Sequence, residues 1–208
     1  FISHFHHDHI QGLAFNSYDS GFNKKIILTS AHSNTKDTYK ILSDYYDNPY
    51  FPVNFIELIN KFDFLEFKDV VSKFNDLEIS SIKLNHPGKS SGYSIVSDQI
   101  KFCYLLDNEY EDSQENELVK FCDNSDTVIW DGMYLESELS GKKGWGHSSV
   151  EQGINFANKI NVKNFLISHH SPLRQDKEIK KIQGNIINKK IKFASENEVI
   201  NFNGKDTI

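Results

Sequence analysis

The chain has 208 residues, 38% hydrophobic and 25% charged, the balance of an ordinary globular protein with one core of useful size, so a single domain spanning 1–208 is expected. A net charge of −6 and a pI near 5.8 argue against a surface that grips long nucleic acid and favour a small-molecule substrate. No apolar run reaches the length of a membrane span, and Cys103 and Cys122 are too few for a disulfide framework and lack C-x-x-C spacing, so a reducing, cytoplasmic setting and no membrane partner are expected; a homodimer is compatible with these numbers.

In chain order, strands and helices alternate without an internal repeat or low-complexity tract. The chain opens without Met, inside a strand-like stretch, so a preceding N-terminal piece carrying the first strands is expected. Residues 25–30 read as a strand and 34–47 as a helix with Asp37 in its first turn. Segments 62–67, 77–84, 93–96 and 100–106 are β-like, the last two joined by the short turn S-D-Q of a hairpin. Residues 113–121 read as helix and 127–129 as strand. A helix over 148–160 follows, with Val150, Ile154, Phe156 and Ala157 at helical spacing, and then a strand over 162–167. A lysine-rich helix over 177–188 precedes a final pairing of 191–193 with 199–202.

The residues that carry chemistry are histidines and aspartates. I-S-H-F-H-H-D-H places His4 and His6 on one face of a strand-like start, with His7 opposite, and Asp8 and His9 where the strand gives out. So many ligand-capable side chains in one short stretch point to metal and not to a polar surface. His86 follows a strand in L-N-H-P-G, Asp107 closes the apolar run F-C-Y-L-L-D, and His169 ends N-F-L-I-S-H with His170 beside it. Each sits where open sites are usually built. His147 begins a helix in G-W-G-H-S-S, whereas His32 reads as ordinary loop chemistry.

The ordered set H-F-H-H-D-H, N-H-P-G, L-L-D and I-S-H-H-S-P resembles the metallo-β-lactamase-fold hydrolases over nearly the whole chain. H-P-G-K-S-S-G-Y, V-I-W-D-G-M-Y and G-H-S-S-V-E-Q look closest to the phosphodiesterase branch, which includes ribonuclease Z and cyclic-nucleotide phosphodiesterases. The resemblance implies an α/β fold, a four-layer αββα sandwich, and a binuclear centre. His4, His6 and His86 would bind one ion, Asp8, His9 and His169 the other, and Asp107 would bridge them. Three imidazoles suit Zn²⁺, the first choice, while added carboxylate oxygen also suits Mn²⁺ or Fe²⁺. His7 and His170 neighbour ligands and are expected to orient them or face solvent. Asp8 is expected both to bind metal and to position the attacking water. Asp131 and His147 match an acidic residue and a histidine that work near the leaving group in this branch, with Gly144 and Gly146 letting the backbone pass close to the metal edge.

A structural zinc site would close with four ligands, so seven argue for a catalytic pair. A non-catalytic sensor would be expected to have lost a ligand, and none is missing. An oxygen-reducing di-iron relative would carry glutamate where His6 stands and a flavin-binding partner domain. The expected activity is hydrolysis of a phosphodiester in a nucleotide or other small ligand, with a carboxylic ester, thioester or lactone hydrolase as the alternative.

Overall fold

The computed structural model describes residues 1–15, 25–52, 55, 59–98 and 100–200. They gather into two compact units, Phe1–Asn75 with Gly88–Ser91 and Asp76–Pro87 with Gly92–Ile208.

In the first unit, β1 (Ile26–Leu28) and β2 (Phe62–Phe64) pair in parallel in the register Ile26↔Phe62 and Leu28↔Phe64. Ile2 extends the ladder through a bridge to Ser30, its N–H donating to the Thr29 carbonyl at 2.8 Å. The strand-like start ends there, because His7–Ile10 turns into a short helix, α1, that delivers Ile10 to the core at 1% exposure. Burial of one large aliphatic side chain at the end of this turn outweighs the β-like reading of the polar residues before it. Helix α2 (Thr35–Tyr45) starts where expected: the Asn34 side chain accepts from the Asp37 N–H at 2.9 Å, a cap worth about 1 kcal/mol. Strand β2 is shorter than the β-like segment 62–67, because Phe67–Val71 forms helix α3 after Glu66, whose carboxylate accepts both Thr35 N–H and Oγ1–H. Leu42, Tyr46, Phe55, Phe62 and Leu28 fill this core, with Tyr46 and Phe55 stacked at an interplanar angle of 5°.

The second unit is built on a six-stranded sheet, in order β3 (Leu77–Lys83), β4 (Ser91–Ser97), β5 (Ile100–Leu105), β6 (Ser125–Asp131), β7 (Val162–Ser168), β8 (Ile191–Phe193). The expected hairpin is present: β4 and β5 are antiparallel with Ser97 opposite Ile100, and Asp98 in the turn has φ 51°. Strands β5 to β8 run parallel, each connected to the next by a helix: α4 (Glu115–Cys122), α5 (Val150–Ala157) and α6 (Asp176–Asn185). These connections bury the parallel strands, which explains the near-continuous apolar runs read from the sequence. Val128, Trp130, Phe165 and Ile167 pack against Leu118, Cys122, Val150 and Phe156. Ser149 and Gln152 form a reciprocal capping box at the start of α5, at 3.0 and 2.9 Å.

The pairing expected of 191–193 with 199–202 does not form among the described residues. Ile191–Phe193 instead joins β7 in parallel, Ile191 opposite Phe165, and 199–200 are irregular; 201–202 lie outside the described residues. Parallel addition buries Ile191 and Phe193 against the sheet core, which a terminal hairpin would not do. In α6, Lys177, Lys180 and Lys181 are exposed while Ile179 and Ile182 pack on the core. Among the described residues no helix is long and apolar enough to cross a membrane.

Candidate metal centre

Three parallel strands of the second unit end in chemistry. Asp107 follows β5, Asp131 closes β6 and His169 follows β7, which brings all three to the carboxyl edge of the sheet, where ligands of such sheets bind. Asp107 and His169 both have left-handed backbones, φ 60° and 58°, a conformation that costs about 1 kcal/mol or more for a residue with a Cβ. At these two positions the strained backbone turns the side chain out of the strand direction, toward the other. Asp107, 2% exposed, has Oδ1 at 3.6 Å from His169 Nε2, 3.9 Å from His147 Nδ1 and 4.0 Å from His86 Nε2.

His86 is oriented by its other nitrogen. Nδ1 lies 2.8 Å from the Gly146 carbonyl. A carbonyl can only accept, so Nδ1 carries the proton and Nε2, facing Asp107, carries the lone pair a metal needs. Gly146 has φ 85°, and a Cβ there would stand 2.0 Å from His86 Nδ1, so no other residue lets the backbone come this close. The carboxylate of Glu109, at 2.8 to 2.9 Å from the N–H groups of Gly144 and Gly146, pins the same loop. Glu109 was not legible as a site residue, since nothing in N-E-Y marks a partner 35 residues on.

Asp131 is fully buried and accepts from three donors: His147 Nδ1 at 2.8 Å, Met133 N–H at 3.0 Å and Asn108 N–H at 3.2 Å. The paired residues expected from V-I-W-D-G and G-H-S-S are therefore in direct contact, with Nδ1–H of His147 donated to the carboxylate. The His147 ring lies between those of His86 and His169, with centroids 5.2 and 5.1 Å away.

In the first unit His4 is wholly buried, and its ring centroid stands 4.6 Å from that of His6 and 4.2 Å from that of His9. Ser3 Oγ is 3.2 Å from His4 Nδ1. Asp8, on the exposed side of α1, has Oδ2 3.3 Å from His9 Nε2. Gly88 passes directly against the pair: a Cβ there would meet His4 Cδ2 at 2.9 Å and His6 Nε2 at 3.0 Å. His4 and His6 converge from irregular backbone and not from one face of a strand, so alternation is not what sets His7 apart. The hydroxyl of Tyr45 from α2 holds His7 Nδ1. His170 turns its ring onto Phe193, centroids 4.9 Å apart, with Nδ1 toward the Gly132 carbonyl at 3.4 Å, and burial lowers its pKa. His32 bonds Ser91 Oγ at 3.0 Å, as ordinary loop chemistry requires.

Donor chemistry fits divalent metal. Asp107, Asp131, His147 and His169 each bring one ligand-capable atom within 4.8 Å of the others, a mixed imidazole and carboxylate set that suits Zn²⁺, Mn²⁺ or Fe²⁺.

Residues 1–170 match the family model for the β-lactamase superfamily domain. The chain belongs to the β-lactamase superfamily. This is a family mainly of metal-dependent hydrolases. Solved structures agree on the fold. Human tRNase Z, short form, aligns with a TM-score of 0.63 at 18% identity, over 97% of this chain and 77% of that one. The metallo-β-lactamase fold protein YhfI from Bacillus subtilis aligns with a TM-score of 0.62 at 15% identity, over 92% and 72%. Zn²⁺-bound PqqB from Methylobacterium extorquens gives 0.59 at 11% identity, over 90% and 67%. A search of curated proteins finds no match. The superfamily chain thus has the metallo-β-lactamase fold expected from its ordered histidine and aspartate motifs.

Proposed function

We propose that this superfamily member is a binuclear metal-dependent phosphodiesterase acting on a nucleotide or other small phosphodiester. The observation that carries the reading is the contact of His147 with Asp131 at 2.8 Å beside Asp107 and His169. Hydrolysis of a phosphodiester, like that of an ester or lactone, releases an alkoxide that needs a proton, which a thiolate leaving group does not, so the pair disfavours a thioester substrate.

In this reading His4, His6 and His86 would hold one ion, Asp8, His9 and His169 the other, and Asp107 would serve both. Two divalent ions, zinc by first choice, supply Lewis-acid stabilisation of charge on the phosphoryl oxygens. The chain supplies the rest. The Gly146 carbonyl keeps His86 in the tautomer that ligates. Asp131 fixes the ring plane of His147 and stabilises its protonated form, so that Nε2 can give a proton to the departing oxygen. Asp8 accepts a proton from the attacking water. Zinc is supported by the imidazole-rich donor set and by the bound Zn²⁺ of PqqB.

The test is a panel of bis-p-nitrophenyl phosphate, cyclic nucleotides, a lactone and a thioester, given to metal-loaded protein with its metal counted by elemental analysis. Turnover confined to phosphodiesters at two ions per chain is expected. Turnover of the lactone or thioester alone would replace this reading with the ester-hydrolase alternative, and a single ion that persists in excess Zn²⁺ or Mn²⁺ would end the binuclear one.

A further inference from the structure

We infer that Trp145 is a stacking surface for the base of a nucleotide substrate, an assignment that rests on the phosphodiesterase reading above and narrows it to substrates bearing a nucleobase. The two tryptophans of the chain have opposite fates: Trp130 is buried in the core at 1% exposure, whereas Trp145 is 56% exposed. An exposed indole on a mobile loop would mean little. This loop is fixed around it. The N–H groups on either side, of Gly144 and Gly146, both donate to Glu109, the N–H of Trp145 itself donates to the Lys142 carbonyl at 3.0 Å, and the Gly146 carbonyl accepts from His86.

Trp145 therefore stands on backbone tied directly to one ligand candidate, His86, and lies two residues before the proposed proton donor, His147. What sets this exposed ring apart from others on the surface is its fixed place at the rim of a polar site, where a flat ligand can stack on it. The ammonium of Lys142 lies 3.8 Å from the indole centroid and 5.6 Å from that of Tyr134, so one face of Trp145 carries a cation held between two rings. An indole that carries a cation on one face and is still 56% exposed is complementary to a nucleotide, whose planar base lies within a few bonds of an anionic phosphate. Stacking of this kind tolerates any base, because every base has a π-face.

The experiment uses the full metal-loaded chain and tryptophan emission, which separates exposed Trp145 from buried Trp130. Adenosine 5′-monophosphate should quench the solvent-exposed component saturably, and ribose 5-phosphate should not. Trp145→Leu should abolish that quenching and weaken adenosine monophosphate binding, measured by equilibrium dialysis, by about 10-fold, with Trp145→Phe intermediate. Equal responses to the two phosphates, or unchanged binding in Trp145→Leu, would overturn the inference. Turnover of bis-p-nitrophenyl phosphate by the wild type judges the enzymatic reading separately. Base-selective quenching without such turnover keeps the stacking role and ends the phosphodiesterase; turnover with a base-blind response does the reverse.

Discussion

His147 Nδ1 lies 2.8 Å from Asp131 Oδ2 and 3.9 Å from Asp107 Oδ1, so one imidazole edge faces a carboxylate at hydrogen-bond distance and a second beyond it. A histidine that only ligates metal and one that donates a proton respond differently to the leaving group. His147→Ala should slow an alkyl phosphodiester by about two to four orders of magnitude while an activated nitrophenolate ester, which leaves unaided, loses far less. Equal losses on both, or metal content falling in step with activity, would make His147 a ligand or a structural residue.

Asp107 combines a left-handed backbone with a position among three histidines. Asparagine tolerates that backbone and preserves the shape of the side chain, so Asp107→Asn removes the charge with little other change. On the proposed binuclear reading, two cations would then face each other poorly neutralised. Elemental analysis should show loss of metal, and activity should fall by orders of magnitude, with the thermal midpoint of the metal-free protein little altered.

A Cβ on Gly88 would stand 2.9 Å from His4 Cδ2, closer than real Cβ contacts come, and 3.0 Å from His6 Nε2. Gly88→Ala must therefore shift the His4 ring and crowd that of His6. Because support of this kind orients ligands, a loss of about 10- to 100-fold in zinc affinity is expected by competition with a chelator. Unchanged affinity would mean that these two rings do not ligate together.

Gly153 tests the packing of the second core. In an exposed helix, Gly→Ala would stabilise by about 0.5 to 1 kcal/mol. Here a Cβ would come within 2.6 Å of Trp130 Cδ1, and Trp130 is itself stacked on Phe156 with centroids 4.9 Å apart. Overpacking should win, destabilising by about 1 to 3 kcal/mol. Thermal melting should show a drop of several degrees.

The lysines of α6 face solvent while its isoleucines meet the core, and no aromatic residue interleaves with them. Charge without stacking platforms gives weak, salt-sensitive contact at most. Replacing Lys177, Lys180 and Lys181 together by glutamine should leave the proposed turnover of small phosphodiesters unchanged. Tight, strongly salt-dependent binding of tRNA, lost in that variant, would instead point to a ribonuclease.

The family could be read from the chain alone because its histidine and aspartate signals are local. H-F-H-H-D-H crowds ligand-capable side chains into one stretch, L-L-D and N-F-L-I-S-H show apolar strands ending in a candidate ligand, and S-V-E-Q caps α5 with the residues three apart that a capping box needs. Strand alternation, hairpin turn and helix start depend on neighbours a few residues away. What the tertiary structure decided are relations across long separations. Glu109 reaches Gly144 and Gly146, Tyr45 takes His7, and Gly88 lies against His4 and His6. Burial also overrode local pattern where the two disagreed: Ile10 drew the end of the histidine run into a helix, and Ile191 and Phe193 chose the buried edge of β7 over a hairpin at the chain end. Local propensity differs by tenths of a kcal/mol per residue, whereas burying one large apolar side chain contributes about 1.5 to 3 kcal/mol, so at those positions the core decides.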